Sequence, residues 1–391
     1  MRSPSARTLR LLAIAAVLAA SVGRASAQPV DPGSVTIVRD RFGVPHVYGP
    51  TDASVVFGLA YAQAEDNLEL LEYSALLALG RATELEGEGE REQAFWSALL
   101  VRAFELPRLS REEYQRAAPA MRALYDAYAA GLNHYLARHP GARLRVLERF
   151  EPWHTLAMLR EKYYLQEFIW YTGLRPQELR VSGLRWREDD SSGAAWRRSA
   201  FPPPAAFAAA ERAAGREPAQ GSNMWAVAPS RSASGNALLF MNPHIGFFGP
   251  YQYYESHLAS GEGLHFSGTG RYGFPLPYIG HNERLGWSHT DNDPDHGDLY
   301  LERFEHPSDP LAYRYGDGWR QAVQWTDTIR VRTAAGVEAR PVTLLRTHHG
   351  PVVAERNGRR VAVRLAKLEE GGWYDQWYAM ARAQSLEEFR A

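Results

Sequence analysis

The sequence predicts an α+β fold, mainly helical before residue 188 and mainly antiparallel strand after residue 222. Apolar side chains recur at helical spacing in the first part and alternate along the chain in the second. A stretch rich in alanine, proline and arginine separates the two parts and has no consistent apolar face. Because helices and strands are grouped rather than alternating, we expect stacked antiparallel sheets.

The N-terminus has the pattern of a secretory signal peptide. Three arginines within the first ten residues precede an apolar run at 11–20, and residues 25–27 are the small residues Ala-Ser-Ala. The apolar run is shorter than a membrane-spanning helix requires. We expect residues 1–27 to be removed and the mature protein to be periplasmic or secreted, with no membrane contact after cleavage. An uncleaved anchor is the alternative.

Residues 28–188 are predicted to begin with two short strands, at 35–38 and 44–48, and to continue as helices. Asp52 is predicted to cap a long helix, whose apolar side chains recur at helical spacing as far as Leu76.

Three further helices are expected in this part of the chain. Ser110 and Glu113 have the spacing of a capping box, which predicts a helix start. The segment after Pro119 keeps one apolar face until Pro140 ends it, and the aromatic run 163–170 predicts another helix.

Residues 189–221 have the composition of a linker. An acidic Ser/Gly run is followed by three prolines at 202–204 and then by an Ala/Arg/Glu mixture. Two interpretations stay open: a spacer peptide that is cut out during maturation, or a linker between domains.

After Ser222 the apolar period changes from 3.6 to 2, which predicts strands. Hairpin turns are expected at 234–236 (Ser-Gly-Asn) and 316–318 (Gly-Asp-Gly). The strands are expected at 224–228, 237–241, 251–258, 326–332, 342–345 and 361–364.

Composition excludes several classes of function. The chain has 391 residues, of which 45% are hydrophobic and 23% charged, as in globular proteins. A formal net charge of −1 gives no electrostatic footprint for nucleic acid or for an anionic membrane. The absence of cysteine excludes disulfides and thiolate chemistry. We expect no organic cofactor.

The bond between Gly221 and Ser222 is the strongest candidate for chemistry. It lies directly behind the linker and ahead of the first predicted strand of the second part. If this bond is cut, Ser222 carries both a hydroxyl nucleophile and a free α-amine, whose pKa of about 8 suits it as the base. The alternative is an ordinary loop Gly-Ser.

Several motifs around this bond resemble the penicillin acylase family of N-terminal nucleophile (Ntn) hydrolases. The resemblance runs from about residue 35 to residue 391, and the order and spacing of the motifs make it specific. The matching segments are 39–48 and 61–67 for the family's α-subunit, and Ser222-Asn223-Met224-Trp225, Asn242-Pro243-His244, Gly280-His281-Asn282 and 287–290 for its β-subunit.

The resemblance implies a four-layer αββα sandwich and an α/β heterodimer cut from one precursor. Residues 28–188 would form the α-subunit region, 189–221 the spacer, and 222–391 the start of the β-subunit.

Three catalytic positions carry over from the family. Ser222 would be the nucleophile, and His244 would contact the α-amine or the tetrahedral intermediate; a structural loop histidine is the alternative. The backbone N–H of Asp291 would face the oxyanion, although an aspartate departs from the small or apolar residue of the relatives. The family's second oxyanion donor, an Asn side chain, lies beyond residue 391.

The family also implies an acyl pocket and a metal site. Positions that line the pocket fall on Ile245, Phe247, Ile279 and Phe168, which are equally compatible with plain core. In the acidic run 291–298, His289 and His296 lack the spacing of a zinc site. Hard oxygen ligands favour calcium. The family's structural calcium ligands fall on Asp295, the Gly297 carbonyl and Asp298, and a solvated turn is the alternative.

Together these features indicate an exported amidohydrolase precursor that cleaves itself before Ser222 and removes an acyl group from a small-molecule N-acyl amide. A β-lactam antibiotic, an acyl-homoserine lactone and a lipopeptide side chain are the candidate substrates. Rival interpretations are a non-catalytic remnant that binds an apolar acyl group and, more distantly, a metallohydrolase using residues 289–298.

The C-terminus predicts a helix that begins close to the last residue. Ser385 and Glu388 have capping-box spacing. Because terminal helices are rarely this short, we expect the chain to be part of a longer protein and to be catalytically silent alone.

Overall fold

The structure, a computed structural model, describes residues 29–89, 92–185, 221–290 and 295–391. A π-helical segment, Glu161–Phe168, links two of its α-helices. The α-helices are α1 (Asp52–Ala78), α2 (Thr83–Glu86), α3 (Gln93–Ala103), α4 (Leu106–Arg116), α5 (Pro119–Arg138), α6 (His154–Arg160), α7 (Ile169–Tyr171), α8 (Trp373–Arg382) and α9 (Leu386–Arg390).

The strands lie mainly in the second half of the chain. They are β1 (Thr36–Arg39), β2 (Pro45–Gly49), β3 (Arg180–Val181), β4 (Leu184–Arg185), β5 (Gly221–Val227), β6 (Leu238–His244), β7 (Tyr253–Ser260), β8 (His265–Arg271), β9 (Ile279–His281), β10 (Gly286–Trp287), β11 (Gly297–Glu302), β12 (Ala312–Tyr315), β13 (Gly318–Gln321), β14 (Val323–Thr333), β15 (Gly336–Arg346), β16 (Val352–Arg356) and β17 (Arg359–Leu365). The predicted α+β class is confirmed.

Six strands form the largest sheet of the described residues, in the order β1-β2-β7-β8-β9-β10. Neighbouring strands are antiparallel except β2 and β7, which are parallel with His46 opposite His257. The sheet therefore joins strands from both sides of the predicted linker, and the β2–β7 ladder is where the two parts meet.

The first core cluster lies between this sheet and the helices. α1 packs against β2 and β7, and α5 packs on α1. Two glycines permit the close approach: a Cβ at Gly58 would lie 2.4 Å from Val47 Cγ1, and one at Gly131 would lie 2.2 Å from the Phe57 carbonyl oxygen. The side chains buried here include Val47, Leu71, Leu258, Phe266 and Ile279.

A second core cluster joins α3 to the long β14–β15 hairpin and to β16. Trp96 and Leu99 of α3 are buried in the same cluster as Ile329 and Val331 of β14. The predicted strands at 326–332, 342–345 and 361–364 are confirmed as parts of β14, β15 and β17.

The predicted capping box at Ser110 and Glu113 is wrong. Both residues lie inside α4, where the Ser110 hydroxyl donates to the Leu106 carbonyl at 2.7 Å. Glu113 instead pairs with the buried Arg160 guanidinium and accepts from the Gly372 N–H at 2.8 Å. The spacing was correct for a cap, but these side chains join α4 to α6 and to the start of α8.

The start of α1 is one residue earlier than predicted. Thr51 is the N-cap, and its hydroxyl accepts from the Ser54 N–H at 3.1 Å while the Ser54 hydroxyl accepts from the Thr51 N–H at 2.9 Å. Asp52 is buried and accepts from Tyr378 and Arg382, so it ties α1 to α8.

Other predicted elements are confirmed. The helix after Pro119 is α5, and the run 163–170 is helical through the π-helical segment and α7. Ser385 caps α9 by accepting from the Glu388 N–H at 3.1 Å. No helix of the described residues is long and apolar enough to cross a membrane. Residues 1–28 and 186–220, which contain the predicted signal peptide and most of the predicted spacer, lie outside the described residues.

Candidate active site at the start of the β5–β6 hairpin

Gly221 and Ser222 are the first two residues of β5, and the hairpin register decides what lies beside them. β5 pairs antiparallel with β6, so that Gly221 is opposite His244 and Ser222 is opposite Pro243. The predicted turn at 234–236 lies between these strands, and within the described residues the two strands pair with each other alone. The hairpin thus brings two predicted catalytic residues, 22 positions apart in sequence, to the same end.

The Ser222 hydroxyl is already in contact with the bond that it is predicted to cut. Its Oγ donates a hydrogen bond of 2.6 Å to the Gly221 carbonyl oxygen. Gly221 has a φ of +132°, a region that side chains disfavour. Glycine is therefore suited to this position, because it lets the carbonyl adopt this orientation next to the hydroxyl.

His244 lies beside the same peptide group and is oriented by Asn223. The Asn223 amide nitrogen is 3.1 Å from His244 Nε2. When the amide donates, Nε2 is the acceptor and Nδ1 carries the ring hydrogen. A Cβ built on Gly221 would lie 3.6 Å from that Nδ1. The Nδ1 edge of the His244 ring thus lies next to Gly221.

The orienting role of Asn223 was not predicted from the sequence, in which Asn223 is only one member of the motif that begins at Ser222. The β5–β6 register is sufficient to predict that Asn223 and His244 are neighbours. Asn223 is two residues after Gly221 on the same strand, so its side chain shares the face of His244 and is its diagonal neighbour.

The loop after His244 is anchored by two buried cations that the sequence analysis did not select. Lys162, on the π-helical segment, donates to the Pro250 carbonyl oxygen, and Arg271 Nη1 donates to the Tyr251 carbonyl oxygen at 2.9 Å. Burial lowers the pKa of Lys162 to about 7. The sequence feature that could have indicated Lys162 is the charged pair Glu161-Lys162 at the start of an aromatic helical run.

Asp291 lies outside the described residues, but the segment leading to it is well fixed. Trp287 Nε1 donates to the Tyr278 carbonyl oxygen at 2.8 Å. Asn282 accepts from the Leu285 N–H at 2.8 Å and donates to the Ala383 carbonyl at 2.8 Å. Burial lowers the pKa of His289, which therefore stays neutral near pH 7.

The four predicted acyl-pocket residues fall into two environments. Ile245 and Phe247 directly follow His244, and Phe247 is 58% exposed. Ile279 is buried in the first core cluster, and Phe168, partly buried against the same cluster, stacks on His296 at a centroid distance of 4.0 Å. Ile245 and Phe247 thus follow, in sequence, the hairpin end that carries Ser222, whereas Ile279 lies in the core.

A cavity of about 500 Å³ lies elsewhere, lined by residues that include Arg102, Arg111, Trp153, His154 and Trp325. Of the predicted catalytic and acyl-pocket residues that the structure describes, none lines this cavity. The chemistry of Ser222 gives the hairpin precedence over this cavity as the candidate active site.

The predicted calcium ligands are only partly assembled by the described residues. Asp295 and Asp298 are exposed, and the Tyr300 hydroxyl donates to Asp298 at 3.3 Å. In the described ranges, no three His, Asp or Glu side chains are grouped to hold a metal ion. Two carboxylates and the Gly297 carbonyl fall short of the six to eight oxygens that calcium takes. Residues 291–294 of the same turn lie outside the described residues.

Comparisons with known proteins show which family this chain resembles. The family model described as penicillin amidase matches residues 34–391. The penicillin acylase 2 proenzyme of Pseudomonas sp. (strain SE83) is 31% identical over 350 residues, covering 82% of this chain and 43% of the relative. An acyl-homoserine lactone acylase of Pseudomonas fluorescens (strain Pf0-1) is 28% identical, covering 93% of this chain and 48% of the relative.

A solved structure, the thermostable penicillin G acylase from Alcaligenes faecalis, is 23% identical, with a TM-score of 0.35 over 43% of this chain and 30% of that chain. The chain spans less than half the length of the two curated relatives named above. The family match extends over nearly all described residues and includes the Gly221–Ser222 bond, both strands of its hairpin and the segment leading to Asp291. The chain belongs to the penicillin amidase family.

Proposed function

We propose that this chain belongs to an exported acylase precursor that cleaves itself between Gly221 and Ser222 and then hydrolyses an N-acyl amide. One observation carries the proposal: the Ser222 hydroxyl contacts the Gly221 carbonyl at 2.6 Å, with the His244 ring beside the same peptide. A nucleophile, its target carbonyl and an N–H donor are the parts that acyl transfer needs.

The first reaction is self-cleavage. Ser222 Oγ attacks the Gly221 carbonyl carbon, the C–N bond to Ser222 breaks, and the hydroxyl proton passes to the departing nitrogen. The His244 Nδ1–H is assigned to the tetrahedral oxyanion of this step. Water then hydrolyses the resulting ester, which leaves a Gly221 carboxylate and an N-terminal Ser222 with both groups free.

The second reaction uses the same hydroxyl on a substrate amide. The Ser222 α-amine accepts the hydroxyl proton and transfers it to the leaving amine, and water hydrolyses the acyl ester. The backbone N–H of Asp291 is proposed as one oxyanion donor, worth roughly 3 kcal/mol of transition-state stabilisation. The domain division proposed with this chemistry is an α-subunit region at 28–188, a spacer at 189–221 and a β-subunit from Ser222.

The substrate class follows from what the relatives share. One relative is a penicillin acylase and another an acyl-homoserine lactone acylase, so both names describe an acylase. We assign an N-acyl amide with an apolar acyl group, with β-lactams, acyl-homoserine lactones and lipopeptide side chains as the candidates. Ile245 and Phe247, next to His244, are the proposed first contacts for the acyl chain.

The test is intact mass spectrometry with N-terminal sequencing of the protein expressed from its full gene with its signal sequence. Ser222→Ala is expected to leave one uncut precursor that lacks amidase activity. Ser234→Ala, at the exposed turn of the same hairpin, is the matched control and is expected to be cut normally. Cleavage of Ser222→Ala at the same bond would overturn the proposal. A panel of the three substrate classes then identifies the acyl amide.

A further inference from the structure

We propose that His46 and His257 form a binding site for a divalent transition metal ion of the zinc or copper kind. The site lies on the ladder between β2 and β7, away from the hairpin that carries Ser222. It would bridge the part of the chain before Ser222 to the part after it.

The first observation is the separation of two ring nitrogens. His46 and His257 are directly opposite each other on the parallel ladder, and their Nδ1 atoms are 3.1 Å apart. Zinc–imidazole bonds of about 2.05 Å to two nitrogens at this separation enclose an angle of about 100°, between the tetrahedral and square-planar values. The two ring centroids are 5.2 Å apart and the ring planes meet at 69°.

The second observation is the Asp40 carboxylate, which lies on the side of the His46 ring that faces away from His257. Asp40 Oδ2 lies 3.9 Å from His46 Nε2, the nitrogen that does not face His257. Asp40 is itself fixed, since its Oδ1 accepts from the Phe42 and Val44 N–H groups at 2.8 and 3.0 Å. Metal-binding histidines commonly present their other ring nitrogen to a carboxylate, and the Asp40 carboxylate lies within ion-pair range of this nitrogen, without a direct hydrogen bond.

The number of protein ligands decides the kind of site. In the described part of the chain no three His, Asp or Glu side chains are grouped around one point. The site therefore has two imidazole ligands, and water fills the remaining positions. Imidazole suits copper, zinc and nickel rather than calcium or magnesium, with copper(II) bound more tightly than zinc.

The second histidine is surrounded by other rings. The His265 ring is 5.0 Å from the His257 ring and its Nδ1 is 3.1 Å from Glu283, and the Tyr48 ring is 5.8 Å from the His257 ring. Metal binding moves the hydrogen shared by the two Nδ1 atoms to Nε2 of one ring, so no proton need be released.

The position of the site gives it a consequence beyond binding. His46 precedes Ser222 and His257 follows it, and four residue pairs form the whole β2–β7 ladder. If the chain is cut before Ser222, as the proposed function requires, a metal on this pair links two separate polypeptides. Binding itself does not depend on that cut.

The test titrates the purified, chelator-treated protein with Cu²⁺ and Zn²⁺ by calorimetry, and records the electron paramagnetic resonance spectrum of the Cu²⁺ form. We expect one equivalent to bind, with nitrogen hyperfine splitting from two imidazoles. His46→Gln and His257→Gln are each expected to abolish this signature, and Asp40→Asn to weaken binding roughly tenfold. His265→Gln, which removes a neighbouring ring outside the pair, is the matched control and is expected to retain the signature.

Thermal melts without metal establish that each variant is folded, so loss of binding is separated from loss of structure. Absence of binding by the native protein, or equal binding by His46→Gln, would overturn the site. All titrations are repeated on uncut Ser222→Ala, in which binding is expected to persist even if the proposed self-cleavage is wrong. In cut protein, Zn²⁺ is expected to raise the denaturant concentration at which the two polypeptides separate.

Discussion

The first core cluster and the β5–β6 hairpin differ in how their large apolar side chains are placed. Phe266, on β8 of the six-stranded sheet, is completely buried in the first core cluster. On the hairpin, Trp225 and Phe240 stack on each other at 4.0 Å but remain 55% and 38% exposed. The region that stabilises the described fold is thus separate from the region that carries the candidate nucleophile.

The same difference holds for polar groups. In the core, Gln63 accepts from the Tyr128 hydroxyl at 2.6 Å and from the Gly273 N–H at 3.0 Å, and donates to the Phe274 carbonyl at 3.2 Å. On the hairpin, the Asn223–His244 contact is exposed. Buried polar groups must be satisfied for the fold to form, whereas exposed ones are free to serve chemistry. Substitutions in the two regions should therefore affect different measurements.

The largest expected effect is a difference in the free energy of unfolding between matched substitutions in the two regions. Phe266→Ala should lower the free energy of unfolding by about 3–5 kcal/mol, because it leaves a cavity in a closed core. Phe240→Ala, the same chemical change at an exposed site, should cost less than about 1 kcal/mol. Denaturant unfolding followed by tryptophan fluorescence compares them. Equal losses in the two variants would show that the hairpin belongs to the same cooperative core.

Sequence patterns predicted the hairpin better than the contacts that surround it. The turn at 234–236 and the alternating residues on either side indicated both strands, and the register that follows brings His244 to Gly221. Lys162 and Arg271 escaped notice because their partners, the carbonyls of Pro250 and Tyr251, are distant in sequence. Such contacts depend on tertiary packing, which periodicity does not encode.

The error at Ser110 has a related cause. Capping-box spacing is local, and Ser110 and Glu113 also satisfy it in the middle of a helix. Their actual roles depend on Arg160, 50 positions beyond Ser110, which is buried between α4 and the start of α8. A local pattern was sufficient at Ser385, where no such distant partner competes in the described structure.

The second largest effect is a pH dependence within the helical part. Burial, with the added charges of Arg111, Arg81 and Arg149, lowers the pKa of His154 to about 3. Below pH 6.5 the unfolded chain takes up a proton that the folded chain does not, so stability falls as the pH falls from 6.5 towards 3. The slope from this group is about 1.4 kcal/mol per pH unit.

Denaturant unfolding at pH 7 and pH 4.5 measures this slope. His154→Gln should reduce the loss of stability between the two pH values by about 2.7 kcal/mol. His134→Gln, at a half-buried position on α5, is the control and should retain the full loss. An unchanged slope in His154→Gln would mean that the ring is charged in the folded protein.

A smaller effect concerns the acidic turn after the hairpin. If Asp295 and Asp298 hold calcium together with other oxygens, calcium at ten times its dissociation constant should stabilise the protein by about 1.4 kcal/mol. Thermal melts with a chelator and with added Ca²⁺ measure this, and Asp298→Asn should reduce the response. Melts that do not change in either direction would leave the turn as a solvated loop.

The smallest expected changes in stability give the sharpest test of the difference between the first core cluster and the β5–β6 hairpin. Tyr128→Phe removes one donor to the buried Gln63 and should lower the free energy of unfolding by about 1 kcal/mol, without changing the reaction per folded molecule.

Asn223→Ala should lower the free energy of unfolding by less than about 0.5 kcal/mol, because the side chain is exposed. It should nevertheless slow self-cleavage, because His244 loses the contact that holds its Nδ1–H beside Gly221. Unfolding curves and the rate of appearance of the N-terminal Ser222 fragment are measured on both variants. If Asn223→Ala is cut at the native rate, then His244 does not act through its orientation by Asn223, and the hairpin register alone positions the reacting groups.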